Sequence, residues 1–291
     1  MPGPQSIPKR ILPPGSWDCH THIFGPYDRF PLAAERSYTP PPAPVEDYLA
    51  MLDRVGLEHG VLVHPSAYGL NHAALFDALS RAGSRLRGTG VATSAVTDVE
   101  LAAMHGHGVR ALRFVEMSGA GGKRFVGAVG LDEFAPLAPR LKELGWHAQI
   151  WTSCEALLAA APKLLAPGIP LVLDHMARFD VAKGVQDAAF QQLLRLLGDG
   201  RVWVKMTPQR NSKRYPDYED VRPFHDALVR ANPDRLIWGS DWPFLNMGET
   251  APDAGHLLGL LDSWCGDDTL RRKILAENPA RLYGFAADRP V

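Results

Sequence analysis

The chain has 291 residues, of which 46% are hydrophobic and 22% charged, and its formal net charge is -1. That length suffices for one large core, and the near-neutral balance argues against a nucleic-acid footprint or a polybasic membrane patch. Cys19, Cys154 and Cys265 are too few and too scattered for a disulfide framework or a Cys-rich zinc site, so a reducing cytoplasm is the expected location.

Residues 1–14 are rich in Pro and Gly and lack the apolar core of a signal peptide. They read as a flexible N-terminal arm ahead of a single domain over 15–291. No apolar run is long enough to span a bilayer. Short β-rich runs then alternate with longer amphipathic segments. Strands are predicted over 17–24, 59–65, 88–93, 109–115, 146–152, 169–175, 202–206 and 235–242. Helices are predicted over 45–56, 72–84, 98–107, 131–145, 156–166, 187–197 and 218–231. Several strands, such as Ile169-Pro170-Leu171-Val172-Leu173, are nearly continuous apolar runs, as buried parallel strands are. Eight such strands alternating with helices read as an α/β fold, a single (β/α)8 TIM barrel. An open doubly wound sheet would announce itself with a Gly-rich phosphate turn after the first strand, and none is present. Long loops over 26–44 and 118–130 follow strands one and four, which places both on the C-terminal face.

Active sites of such barrels gather at the C-terminal strand ends. His20 and His22 close the first strand; two imidazoles two residues apart on a strand share a face. His64 and Ser66 close the second, Arg113 the fourth, Gln149 and Trp151 the fifth. Asp174-His175 close the sixth, with Arg178 beyond; Thr207 to Arg210 follow the seventh, and Ser240-Asp241-Trp242 end the eighth. Ionisable groups are costly to bury unless paired or ligated, so their concentration at one end of apolar strands favours a site. Asp241 has the chemistry of a general base for water. His20, His22 and His175 could polarise a carbonyl directly, or with Asp241 bind one Zn²⁺ that does so. Arg113, Arg124 and Arg210 could hold carboxylates, whereas the bland reading of any single Arg is a solvated surface charge. For His64 and His147 the bland reading, a core histidine, is preferred.

At this point the chain resembles the amidohydrolase superfamily, through His20-x-His22, His175 and Asp241. More closely it is similar to the branch of lactone hydrolases that includes 2-pyrone-4,6-dicarboxylate hydrolase. The anchors are Asp18-Cys19-His20-Thr21-His22-Ile23-Phe24-Gly25-Pro26, Glu35 to Pro41, Val63-His64-Pro65-Ser66, Leu112-Arg113-Phe114, Leu173 to Arg178 and Trp238 to Pro243. The resemblance implies a hydrolase that opens a carboxylate-bearing lactone, with Asp241 activating water and the three histidines around the carbonyl. It also implies substrate contacts from Tyr38, Ser66, Arg113, Arg124 and Arg210, with Gln149 or Trp151 where the relative has a Tyr. No lysine ends the fourth strand and no ligand histidine ends the fifth, so a two-metal site is not expected: the enzyme uses no metal or one divalent ion. An aldarolactone isomerase of the same branch and a zinc-dependent non-oxidative decarboxylase are the alternatives; Ser212 to Tyr218 resembles a segment of the isomerases. The expected partner is a small carboxylated lactone, with oligomeric state left open.

Overall fold

The computed structural model describes residues 3, 5–118, 122 and 124–284, so Lys123 lies outside the described residues. Eight parallel strands form one sheet in sequential order: β1 (Trp17–Thr21), β2 (His59–Val63), β3 (Leu86–Gly90), β4 (Val109–Val115), β5 (His147–Trp151), β6 (Leu171–Leu173), β7 (Val202–Met206) and β8 (Leu236–Trp238). The helices between them are α1 (Val45–Val55), α2 (Ala73–Ala82), α3 (Asp98–Gly106), α4 (Phe134–Glu143), α5 (Cys154–Leu165), α6 (Ala188–Gly198) and α7 (Arg222–Ala231). After β8 come α8 (Ala254–Cys265), α9 (Asp268–Arg272) and α10 (Asn278–Tyr283). This is the expected (β/α)8 barrel. Local sequence starts several helices: Ser153, Asp187 and Asp253 cap α5, α6 and α8, and Thr97 with Glu100 closes a capping box on α3.

Alternation along the strands sorts the side chains. Leu62, Leu112, Phe114, Ile150, Leu171, Leu173, Val204 and Trp238 face the helices and build the main core. Trp17, Cys19, Val61, Val63, Val172, Trp203 and Ile237 fill the lower barrel with Tyr283 of α10 beneath. His147 is buried there too, edge-on to Tyr283 at 5.0 Å, as a core histidine. Leu257, Leu258 and Leu261 of α8 are buried in the main core.

The barrel closes beyond the ends of β1 and β8. Thr21 bridges Trp242, Asp241 N donates to the His20 carbonyl at 2.8 Å, and His22 N to the Trp242 carbonyl at 2.8 Å. Asp18 clamps this seam by accepting from Ser240 N at 2.8 Å and Ser240 Oγ at 2.5 Å; burial raises its carboxyl to about 6. Gly239 is required here, because a Cβ would lie 2.7 Å from the His20 Cβ.

Strand ends differ from the expected ones in a consistent way. β1, β6 and β8 stop at Thr21, Leu173 and Trp238, so His22, His175 and Asp241 stand on irregular backbone past the ladders. The register of β1 on β2 also shifts between Asp18 and Thr21, so the His20–His22 pair does not rest on a plain pleat. Residues 5–12 lie along the outside: Ser6 N and Oγ each donate to Asp253 at 2.8 Å, and Leu12 is buried. Among the described residues no helix is long and apolar enough to cross a membrane.

Candidate active site

A cavity of about 260 Å³ opens at the C-terminal face and is lined in part by His22, Tyr38, Ser66, Arg113, His175, Arg178, Arg210 and Asp241. The sixth strand delivers its residues by an unusual route. His175, Met176, Ala177 and Arg178 have φ of 51°, 54°, 58° and 49°, a run of left-handed backbone directly after Asp174. Left-handed non-Gly residues cost roughly 1–2 kcal/mol each and persist only where packing imposes them. Asn211 helps to fix the run, its Nδ2 donating to the His175 carbonyl at 3.0 Å and its Oδ1 accepting from Arg178 at 3.4 Å.

Asp241 occupies the centre, also left-handed with φ 60°. One carboxylate oxygen is held by Arg210 Nε. The other lies 3.6 Å from His20 Nε2 and 3.8 Å from His22 Nε2, beyond direct hydrogen bonding. The His20 ring is 5.1 Å from that of His22 and 4.6 Å from that of His175. His22 Nδ1 donates to the Val63 carbonyl at 2.7 Å, which leaves a lone pair on Nε2 facing Asp241. His175 Nδ1 pairs with Thr207 Oγ1 at 3.1 Å.

Beneath lies a fully buried charged layer. Asp174 faces Arg113 Nε at 2.9 Å, Gln149 Nε2 at 3.2 Å and Lys205 Nζ at 3.3 Å. Burial alone would raise the Asp174 carboxyl, but Lys205, His20 and Arg113 outweigh it and hold it well below the usual range. Burial lowers the Lys205 ammonium, with Asp174 opposing. Burial, then the Lys205 charge, lowers His20 to about 4. Burial, then His20, carries both His22 and His175 well below the ordinary histidine value. All three rings are therefore neutral near pH 7.

Most of the expected site residues come together here: His20, His22, His175, Asp241, Tyr38, Ser66, Arg113 and Arg210. Tyr38 and Ser66 both line the cavity wall. Two do not join them. Gln149 is fully buried below the cavity, bonded to Thr89 and Asp174. Arg124 lies against Gly130 outside the lining, captured by Glu116 and Asp132, each at 3.1 Å. His64, read as a core histidine, is buried with Nε2 on the Gly69 carbonyl at 2.8 Å, and it also borders the cavity. Sequence reasoning left out Asp174, Lys205 and Arg178 as working residues. Lys205 had a signal: it interrupts the apolar run Val202-Trp203-Val204-Lys205-Met206.

The donor set suits one divalent ion. His20, His22 and Asp241 each offer one atom within 4.8 Å of the others, and buried His20 Nε2 has no hydrogen-bond partner among the described residues. His20, Asp174 and His175 form a second such group, but it shares His20 with the first and its Asp174 is engaged by Arg113, Gln149 and Lys205.

Known proteins resemble the chain over nearly its whole length. A 4-sulfomuconolactone hydrolase from Rhizobium radiobacter is 38% identical over 276 residues, 94% of this chain and 91% of that one. A 2-pyrone-4,6-dicarboxylate hydrolase from Comamonas testosteroni is 35% identical over 288 residues, 96% of this chain and 93% of that one. A solved structure from Acinetobacter baumannii, described as a probable 2-pyrone-4,6-dicarboxylic acid hydrolase with citric acid bound, superposes with a TM-score of 0.79 at 25% identity, covering 93% of this chain and all of that one. The amidohydrolase family pattern matches residues 17–285, and the chain belongs to the amidohydrolase family.

Proposed function

We propose that the protein is a lactone hydrolase whose substrate carries a carboxylate or sulfonate, with Asp241 as general base. One observation carries the reading: the cavity sets a carboxylate and neutral imidazoles beside a guanidinium, Arg178, that has no acid partner among the described residues. Arg113 and Arg210 already face Asp174 and Asp241, so Arg178 is the cation left for an anionic substituent. Both hydrolase relatives are named for lactones or pyrones bearing such groups.

The chemistry follows from the positions. The free oxygen of Asp241 takes a proton from water as the water oxygen attacks the lactone carbonyl carbon. The carbonyl oxygen gains negative charge and is stabilised by imidazole N–H groups and the nearby guanidinium groups. The ring C–O bond then breaks, and the departing oxygen takes the proton from Asp241. The products are a hydroxyl and a new carboxylic acid, which releases its proton at neutral pH. His20, His22 and Asp241 are the residues that would hold a divalent ion, which when bound supplies Lewis-acid polarisation of the same carbonyl.

Incubation with 2-pyrone-4,6-dicarboxylate, sulfomuconolactone and sugar-acid lactones in H₂¹⁸O tests this. Proton release and one ¹⁸O in the ring-opened product are expected for at least one substrate. No turnover across the panel would overturn the reading, and a rearranged lactone without ¹⁸O would make the enzyme an isomerase. Arg178→Met is expected to raise KM for the anionic lactone about tenfold to a hundredfold, as for loss of a hydrogen bond to a charged group. Steady-state kinetics should show a far smaller change for an uncharged lactone; equal effects on both would remove Arg178 from substrate binding.

A further inference from the structure

Lys205 carries a role that the hydrolytic reading does not use. It sits in the middle of the barrel with no exposed surface, a costly place for an ammonium. Its Nζ lies 3.2 Å from His20 Nδ1, in hydrogen-bonding geometry. Asp174 Oδ1 is 3.3 Å from the same ring nitrogen, yet this oxygen has no hydrogen-bond partner among the described residues. Lys205 Nζ and Asp174 Oδ1 thus both approach Nδ1, and only the Lys205 contact has hydrogen-bonding geometry at the ring nitrogen.

We propose that Lys205 is a positioning residue that sets the tautomer of His20, donating to Nδ1 so that the ring proton resides on Nε2. An ammonium has only donors, so Nδ1 must accept. Which nitrogen of a neutral histidine bears the proton follows from the bond made by the other. His20 then points an N–H toward Asp241 Oδ1, 3.6 Å away, and toward any oxygen reacting beside it. His22 is set oppositely, with its proton on Nδ1 and bound to Val63. Two rings 5.1 Å apart therefore present one donor and one acceptor to the same spot.

The consequence for metal is direct. A metal ion needs the lone pair of His20 Nε2, which would move the proton to Nδ1 and set it against the Lys205 ammonium. Lys205 therefore favours direct hydrogen bonding by His20 and weakens, without removing, the fit of His20, His22 and Asp241 to a divalent ion. The inference deepens the lactonase reading at the same residues, but its test needs no turnover.

Long-range ¹H–¹⁵N correlation spectra of the full-length chain, ¹⁵N-labelled at histidine and treated with chelator, decide the point. His20, assigned from the signals lost in His20→Gln, is expected to show an acceptor-type Nδ1 and a protonated Nε2. A protonated Nδ1 would overturn the proposal. Calorimetric titration with ZnCl₂ should give Lys205→Met at least tenfold tighter zinc binding than the parent chain; equal or weaker binding by a folded variant would overturn it as well. Should Lys205→Met fail to fold, the spectrum of the unaltered protein still decides. Failure of the lactone panel with the expected spectrum would overturn the activity and leave the tautomer assignment standing.

Discussion

Asp241→Asn is expected to lower kcat by about a thousandfold or more while KM stays within a few fold, in keeping with loss of a positioned general base. The substitution keeps volume and shape but removes the oxygen that accepts a proton from water. It also spares the backbone. Asp241 has φ 60°, and Asn is among the few residues that adopt this conformation readily. Arg210 can still donate to the amide oxygen, so the side chain has a partner. Steady-state kinetics with calorimetric substrate binding separate the two effects. Retention of a tenth of the parent rate would remove Asp241 as the base.

Acidification is expected to destabilise the fold steeply between pH 6.5 and about 4. Burial lowers His20 and His72 to about 4 and His64 and His147 to about 3, from 6.5. In that window the unfolded chain binds more protons than the folded one, so stability falls as pH falls. Each histidine contributes on the order of 2 kcal/mol by about pH 5. Asp18, raised to about 6 from 3.8, acts in the opposite direction, since its protonated form is favoured in the fold. One carboxyl offsets only part of the loss from several histidines. A decrease in Tm on the order of 10 °C between about pH 7 and 5 is expected by circular dichroism. A flat profile across the window would mean that these rings are not held neutral by burial.

The barrel was legible because its signal is periodic. Apolar strands such as Ile169 to Leu173 and amphipathic helices repeat along the chain, and the repeat survives errors of a few residues at each boundary. The candidate site was legible because His20, His22, His175 and Asp241 cluster where strands end. Other features depend on tertiary structure. Lys205 and Asp174 explain each other only once β6 and β7 are side by side. Arg124 was expected at the substrate, but Glu116 and Asp132, eight residues to either side, satisfy it first. Gln149 was expected at a strand end but sits in the middle of β5, so the barrel buries it one layer below the cavity. The strand-end rule identifies positions; neighbours decide which of them face the ligand.

The left-handed run from His175 to Arg178 ties chemistry to fold in a further way. No local preference of His, Met, Ala or Arg builds such a turn; the closed barrel and Asn211 impose it. An imidazole of the candidate site and the Arg178 guanidinium therefore stand on the same spring. The segment has nothing of its own to return to that shape once its surroundings slacken, so catalytic competence is a property of the assembled barrel and cannot be carried by the short peptide that supplies the groups.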